Sequence, residues 1–146
     1  MMNVYIAAPL FNEMERKRNE DIALFIEALG FTTYLPQRDG GIAYDLIEES
    51  VSLKSDIRRN LFNLDYEALK ASDIILFLID GRTPDEGACI ELGMGYALGK
   101  KCMGYKTDSR AMDANGDNNI MIDGCVDWFM YDNKISLGNA LKRMFK

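Results

Sequence analysis

The segment PDEGACIELGMGYALGKK contains three carboxylates whose positions could support chemistry. Asp85 and Glu86 stand at its start, just after Thr83, which is a good N-cap for a helix predicted over 84–98. For Glu86, a capping box with Thr83 is the preferred interpretation. For Asp85, complementing the helix dipole and binding a ligand stand equally open.

Glu91 lies further along this predicted helix, too far from its start for capping. Apolar residues surround it, while Gly87 and Gly95 stand one turn before and one turn after it. Glycine in a helix costs about 1 kcal/mol of stability relative to alanine, so the presence of these two glycines needs an explanation. One reason is a bare face that lets a ligand approach the carboxylate closely. The other is a solvated glutamate beside glycines that serve helix packing, and local sequence leaves both open.

A second carboxyl, Asp65, stands near the end of the helix that is predicted before the apolar run DIILFLI. The helix dipole disfavours an anion there, which would raise the pKa of Asp65 and let it act as an acid. An ordinary surface aspartate is the alternative. Because the chain contains no histidine, acid or base chemistry near neutral pH falls to carboxylates or tyrosine.

The loops after the first and second predicted strands supply further candidates. The first loop, AAPLFNE, contains neither Gly-x-Gly-x-x-Gly nor a Walker-type Gly-Lys-Ser/Thr motif, so binding of a dinucleotide or of ATP is not expected. Phe11 in this loop could stack on a flat ring or belong to the core. In PQRDG, residues 36–40, Gln37 stands among turn formers and could be no more than part of a turn.

Composition excludes several classes of partner. With 48% hydrophobic residues and a net charge of −6, the chain should fold and should be repelled by DNA, RNA and anionic membranes. It has no bilayer-length apolar run and no secretory-type N-terminus, so we expect a cytoplasmic protein. Its three cysteines are odd in number and widely spaced, which favours reduced thiols; no metal or other cofactor is expected.

Strand-like runs alternate with helical ones, without repeats or linkers, so residues 1–146 are expected to form one domain. NVYIAA predicts a first strand and FTTYL a second. Between them an amphipathic helix should end at Gly30, with an inner face formed by Ile22, Phe25, Ile26 and Leu29.

The second half of the chain continues the alternation. A polar loop from Pro36 leads to a helix that runs to about Ala71, with an apolar stripe formed by Ile57, Leu61, Leu64 and Ala68. DIILFLI is typical of a parallel strand covered on both faces. After the helix over 84–98 we predict a strand KCMGY, a polar loop from about Lys106 to Gly124, a strand near DWFMY and a last helix from Ser136.

This order predicts an α/β domain of the doubly wound, flavodoxin-like type, with a mostly parallel five-stranded sheet and helices on both faces. Ligands in such folds bind beyond the carboxyl ends of the strands, at the switch in strand order. The loop after the first strand is therefore the expected place for a site.

These residues, in their order and spacing, resemble the nucleoside 2-deoxyribosyltransferase family over most of the chain. Tyr5 and Phe11 are similar to the family's tyrosine next to the nucleophile and to the aromatic residue under the base. Gln37 resembles its base-contacting glutamine. Pro9 and Leu10 depart from the family's usual Gly-rich or aromatic turn, so the resemblance does not indicate purine or pyrimidine preference.

The acidic residues carry the rest of the resemblance. Asp65 matches the family's acid near the leaving base, while Asp85 and Glu91, six residues apart, match its sugar-binding aspartate and its nucleophilic glutamate. NNIMIDG, residues 118–124, resembles a stretch that the family lends to a neighbouring subunit's site. Asn119 would then contact the sugar hydroxyl, with Asp127 as the alternative residue for that role.

The resemblance implies exchange of bases between 2′-deoxyribonucleosides in nucleotide salvage. Glu91 would attack C1′, Asp65 would protonate the departing base and Tyr5 would orient Glu91. The implied partners are deoxynucleosides and free purine or pyrimidine bases. The borrowed side chain implies a homo-oligomer, either a dimer or a hexamer.

Two other functions stay open at this stage. In the first, water resolves the intermediate, as in the related deoxynucleoside 5′-monophosphate glycosidases. These enzymes need a phosphate site, whereas Glu13 and Glu15 stand after the first strand, which favours a free nucleoside. In the second, the chain is a non-catalytic nucleoside-binding module, which would have no need of Glu91 and Asp65 together.

Overall fold

A computed structural model of the chain describes residues 1–49, 51, 53–81, 83–107, 117–131 and 134–144. Its five strands are β1 (Asn3–Ala7), β2 (Thr32–Tyr34), β3 (Ile74–Leu78), β4 (Lys101–Lys106) and β5 (Trp128–Tyr131). They form one sheet in the order β2-β1-β3-β4-β5, and every neighbouring pair is parallel. The predicted doubly wound, flavodoxin-like architecture is thus confirmed, with its switch in strand order between β1 and β3.

The helices are α1 (Glu13–Ala28), α2 (Ala43–Glu49), α3 (Lys54–Ala71), α4 (Glu86–Ala97), α5 (Ile120–Cys125) and α6 (Lys134–Arg143), and a π-helical turn spans Pro36–Gly40. They cover both faces of the sheet. Buried residues of α1 and α6 pack on one face, and those of α3, α4 and α5 pack on the other. No helix in the described ranges is long and apolar enough to cross a membrane.

Alternation along β1 decides which side chains reach each layer. Val4 and Ile6 join the cluster with α1 and α6, whereas Tyr5 and Ala7 join the cluster with α3 and α4. Successive side chains of a strand point to opposite faces, so this split follows directly from the extended backbone. Tyr5 is thereby directed toward the helices that carry Asp65 and Glu91.

The structure corrects several predicted boundaries. The segment after Pro36 is a π-helical turn followed by α2, and the helix that ends at Ala71 starts only at Lys54. Leu64 is 53% exposed and does not belong to the buried stripe of α3. Part of the predicted loop before Gly124 is helix α5; residues 108–116 of that loop lie outside the described residues. The last helix begins at Lys134, two residues before the predicted start.

Candidate active site

A cavity of about 190 Å³ lies between α3 and α4, above the β1 strand. Three residues predicted to carry out the chemistry line it together: Tyr5 from β1, Asp65 from α3 and Glu91 from α4. The rest of the lining is mostly apolar and consists of Phe62, Tyr66, Leu69, Gly87, Ile90 and Met94. Two carboxyl groups on facing helices therefore share one largely apolar enclosure.

Glu91 is fixed by Tyr5. The Tyr5 hydroxyl donates a hydrogen bond of 2.6 Å to Oε1 of Glu91. Tyr5 is completely buried, and burial together with the nearby carboxylates raises the pKa of its hydroxyl well above the usual range, so it remains a donor. The predicted orientation of Glu91 by Tyr5 agrees with this contact.

Burial dominates the electrostatics of Glu91 and raises its pKa to about 8. The Tyr5 hydrogen bond opposes this effect, while the charges of Asp65 and Asp85 add to it. With this pKa the Glu91 carboxyl holds a proton through most of the neutral range. Such a perturbed carboxyl in a cleft is typical of functional sites.

Asp65 experiences the same two influences in a milder form. Burial raises its pKa, and a hydrogen bond from Tyr34 lowers it. The Tyr34 hydroxyl donates to Oδ1 of Asp65 at 2.9 Å. Since the two carboxyls interact, Asp65 and Glu91 titrate as a coupled pair rather than as independent groups.

Tyr34 was not predicted as a site residue. It is the last residue of β2 and lies in register with Tyr5 on the neighbouring strand. The two rings stack, with centroids 5.4 Å apart and planes inclined by 15°. The sequence does contain a signal for this residue. FTTYL is predicted as a strand parallel to the first, and the tyrosine near the end of FTTYL would then lie at the same edge of the sheet as Tyr5.

The glycines of α4 serve two different purposes. Gly87 lines the cavity, as expected for a bare face beside Glu91. Gly95 is buried and packs on β3, and a methyl group added there would collide with the side chain of Ile75. For Gly95, therefore, helix packing is the correct one of the two explanations that the sequence left open.

The start of α4 also differs from the prediction. The N-cap is Asp85, whose carboxylate accepts a hydrogen bond of 2.8 Å from the backbone N–H of Ala88. Thr83 lies before the helix, and Glu86 is the first helical residue rather than the third, so no capping box forms with Thr83. Burial raises the pKa of Asp85, and the bond from Ala88 opposes this rise. Asp85 therefore stabilises the start of α4, which is one of the two roles that the sequence left open for it.

The remaining predicted residues lie outside the lining of this cavity. Phe11 is 74% exposed, so the alternative of a core residue was wrong. Gln37 lies in the π-helical turn and is tied to α1: it donates to the carbonyl of Arg16 at 2.9 Å and accepts from Asn19 at 3.0 Å. The interpretation of Gln37 as part of a turn is therefore correct.

Asn119 and Asp127 both make backbone contacts within the chain. Asn119 is the N-cap of α5 and accepts a hydrogen bond of 2.9 Å from the N–H of Met121, with its side chain exposed. Asp127 accepts one of 2.9 Å from the N–H of Cys102. Nowhere in the described part of the chain are three or more histidine, cysteine or acidic side chains grouped so that they could hold a metal ion.

Comparisons with known proteins give a family and a fold. The family model described as "Nucleoside 2-deoxyribosyltransferase" matches residues 4–133. A 2-deoxyribosyltransferase from Bacillus psychrosaccharolyticus is 26% identical, with a TM-score of 0.72 over 96% of this chain and 90% of that one. No curated protein matches the chain.

Two further solved structures share the fold. A conserved protein from Enterococcus faecalis is 23% identical, with a TM-score of 0.80 over 99% of both chains. A CMP N-glycosidase from Clostridium botulinum is also 23% identical, with a TM-score of 0.60 over 96% of this chain and 98% of that one. At this level of identity the two matches show the fold alone.

Proposed function

We propose that this chain, which belongs to the nucleoside 2-deoxyribosyltransferase family, exchanges the base of 2′-deoxyribonucleosides through a covalent deoxyribosyl intermediate on Glu91. The observation that supports this most strongly is the 2.6 Å hydrogen bond from Tyr5 to Glu91 in a cavity that Asp65 also lines. A nucleophile with an orienting donor and an acid near by is the arrangement that glycosyl transfer with retention requires.

In the proposed reaction, an oxygen of the Glu91 carboxylate bonds to C1′ of the sugar from the face opposite the base. The bond from C1′ to the ring nitrogen breaks, and its electron pair leaves with the base, which receives a proton from Asp65. A second base then attacks C1′ from the vacated face and returns its ring proton to Asp65. Two inversions restore the β configuration and free the Glu91 carboxylate.

The coupled carboxyls define the reactive protonation state. Attack needs Glu91 ionised, whereas departure of the base needs Asp65 protonated, so the pair must hold a single proton. Burial raises the pKa of both groups, which allows this singly protonated state to persist into the neutral range. The Tyr5 hydrogen bond favours the ionised form of Glu91 within that state.

We assign the sugar and base contacts to residues outside the lining of the cavity. Asp85 would hold the 5′-hydroxyl, Phe11 and Gln37 would contact the base, and Asn119 of a neighbouring subunit would complete the sugar site. A cavity of about 190 Å³ is smaller than the roughly 300–1,000 Å³ of most complete ligand sites. Completion by a second copy of the chain is consistent with this small volume.

The start of α1 favours an unphosphorylated substrate. In a doubly wound fold, this helix N-terminus after the first strand is where a phosphate would bind. Here the Glu15 carboxylate already accepts hydrogen bonds from the N–H groups of Phe11, at 2.8 Å, and Asn12, at 3.2 Å. A phosphate would have to displace a like-charged group, so we propose free nucleosides rather than nucleotides as substrates.

Transfer and hydrolysis can be separated by one experiment. The protein is incubated with 2′-deoxyinosine with and without adenine, and with thymidine with and without cytosine, and products are followed by chromatography. We expect a new nucleoside only where the second base is present, and no product from Glu91→Ala. Release of free 2-deoxyribose without any new nucleoside would instead establish a glycosidase. Turnover by Glu91→Ala equal to that of wild type would refute the role of Glu91 as the nucleophile in either reaction.

A further inference from the structure

We propose that Tyr34 is a positioning residue for Asp65: its hydroxyl holds the carboxyl so that the oxygen facing the cavity is the one that carries the proton. This inference rests on the proposed function, in which Asp65 protonates the departing base. It assigns a role to a side chain that lies outside the cavity lining and contacts the acid rather than the substrate.

The hydrogen bond determines which oxygen can be protonated. Tyr34 donates to Oδ1 of Asp65 at 2.9 Å, so Oδ1 serves as an acceptor there. No hydrogen bond to Oδ2 occurs among the residues that the structure describes. We therefore infer that a proton on the Asp65 carboxyl is carried by Oδ2, and that Oδ2 is the oxygen presented to a ligand in the cavity that Asp65 lines.

The π-helical turn keeps this pair in place. Gly40, the last residue of that turn, lies against both partners: a Cβ atom there would stand 2.8 Å from Oδ1 of Asp65 and 2.9 Å from the Tyr34 hydroxyl. Both distances are too short for any side chain other than the hydrogen of glycine. The turn thus lies directly against the hydrogen bond at Gly40, where the absence of a side chain leaves space for both groups.

The two carboxyls are linked through the stacked tyrosines. Each tyrosine hydroxyl binds one carboxyl, Tyr5 binding Glu91 and Tyr34 binding Asp65. Because the two residues are in register on neighbouring strands and their rings stack, the sheet itself sets the spacing between nucleophile and acid. Strands hold a geometry more rigidly than loops do.

Loss of the Tyr34 hydroxyl should have two opposite effects, which makes the proposal testable. The charged and titratable groups around Tyr34 are Asp65, Asp39, Glu91 and Tyr5, and Asp39 is already paired with Arg38 at 2.9 Å. Without the hydroxyl, the pKa of Asp65 rises, so more of the acid is protonated at a given pH. Nevertheless, the proton is no longer held on the oxygen that faces the base.

The test is Tyr34→Phe, which keeps the stacked ring, with Tyr44→Phe on the exposed face of α2 as the control. Turnover is compared for 2′-deoxyguanosine and 7-methyl-2′-deoxyguanosine, and for 2′-deoxyuridine and 5-fluoro-2′-deoxyuridine. The second substrate of each pair has a base that leaves with less help from an acid. We expect kcat to fall roughly tenfold for the first substrate of a pair and far less for the second.

A second readout does not depend on turnover. Titration of the side-chain carboxyl carbons by NMR should show a higher midpoint for Asp65 in Tyr34→Phe and no change in Tyr44→Phe. An unchanged Asp65 midpoint, or an equal loss of kcat for both substrates of a pair, overturns this inference while leaving the proposed function intact. A wild-type protein that turns over neither pair would refute the proposed function and this inference with it.

Discussion

At the scale of single residues, the two carboxyls of the cavity are costly to bury, and that cost should be visible in the pH dependence of turnover. Glu91 has its pKa raised to about 8, and that of Asp65 is raised by burial. An ordinary pair of carboxyls would lose both protons near pH 4. Turnover requires the Asp65–Glu91 pair to hold a single proton, so we expect turnover to extend into the neutral range.

We predict a bell-shaped profile of kcat/KM against pH, with its descending limb near pH 8, because the second proton of the pair is lost there. In Tyr5→Phe the hydrogen bond that lowers the pKa of Glu91 is lost, so the profile should move to higher pH and its maximum should fall. Steady-state kinetics between about pH 4 and 10 measure both effects. An optimum near pH 4 would contradict the assignment.

Glu91→Gln should stabilise the chain at alkaline pH while abolishing turnover. A carboxyl whose pKa is higher in the folded state binds a proton that the unfolded chain has released. Its stabilising effect is therefore complete below the ordinary value of 4.5 and is lost as the pH rises toward 8. Glutamine stays neutral, so the Tm of the variant relative to wild type should increase across this interval.

Thermal unfolding at about pH 5 and at about pH 9 measures this difference, which should amount to at least a few degrees at the higher pH. Glu86→Gln, on the exposed side of the same helix, is the matched control and should show no such trend. If the Tm of the two variants changed with pH in the same way, ionisation of Glu91 would not destabilise the folded chain.

Single residues could be predicted from sequence where their type conflicts with their surroundings. A glutamate amid apolar residues and an aspartate near a helix C-terminus are such conflicts, and both residues line the cavity. Tyr34 and Gly40 could not be predicted in this way. Tyr34 reaches Asp65 across the gap between β2 and α3, and Gly40 reaches both because a π-helical turn brings the chain back to the end of β2.

At the scale of elements, α4 both carries Glu91 and packs closely on β3, and its glycines allow these two tasks to be separated. Gly95→Ala should destabilise the fold by about 1–3 kcal/mol, because the added methyl group collides with Ile75. Gly93→Ala in the same helix meets no atom within 4 Å and should stabilise it by up to about 1 kcal/mol.

Chemical denaturation of the two alanine variants tests this packing. The difference in free energy of unfolding between them should be larger than either change alone, with opposite signs. A Gly95→Ala variant as stable as wild type would mean that α4 does not approach β3 as closely as described.

Long elements were easier to predict than short ones. α1 has sixteen residues, enough to show helical periodicity, whereas α2 and α5 have only seven and six residues, too few for that periodicity to stand out. The N-cap of α4 was predicted at Thr83 but is Asp85. Both side chains can cap a helix, and only the backbone conformation distinguishes them.

At the scale of the whole molecule, several large apolar side chains on α3, α4 and α5 are exposed in a single chain. Phe62 of α3, Ile90 and Tyr96 of α4, and Ile120 and Met121 of α5 are all exposed. Large apolar side chains that are left exposed in this way are typical of protein interfaces. Their exposure supports the proposal that a second copy of the chain covers these helices and contributes Asn119.

Mixing inactive variants tests for a shared site. We predict that Glu91→Ala and Asn119→Ala are each nearly inactive alone but regain activity when unfolded and refolded together. In a dimer with two shared sites, half of the molecules are mixed and each of these has one intact site, so about a quarter of wild-type activity should return. An inactive mixture, measured on a sample shown to contain mixed oligomers, would place each site within one chain.

The central claim is that Glu91 forms a covalent bond to the anomeric carbon of a sugar. The most direct measurement is mass spectrometry of protein quenched in acid during turnover of a 2′-deoxynucleoside, with peptide mapping of the adduct. We predict one added deoxyribosyl group per chain, located on Glu91 and absent from Glu91→Gln. An adduct on another side chain, or turnover without any adduct while free sugar accumulates, would contradict the account.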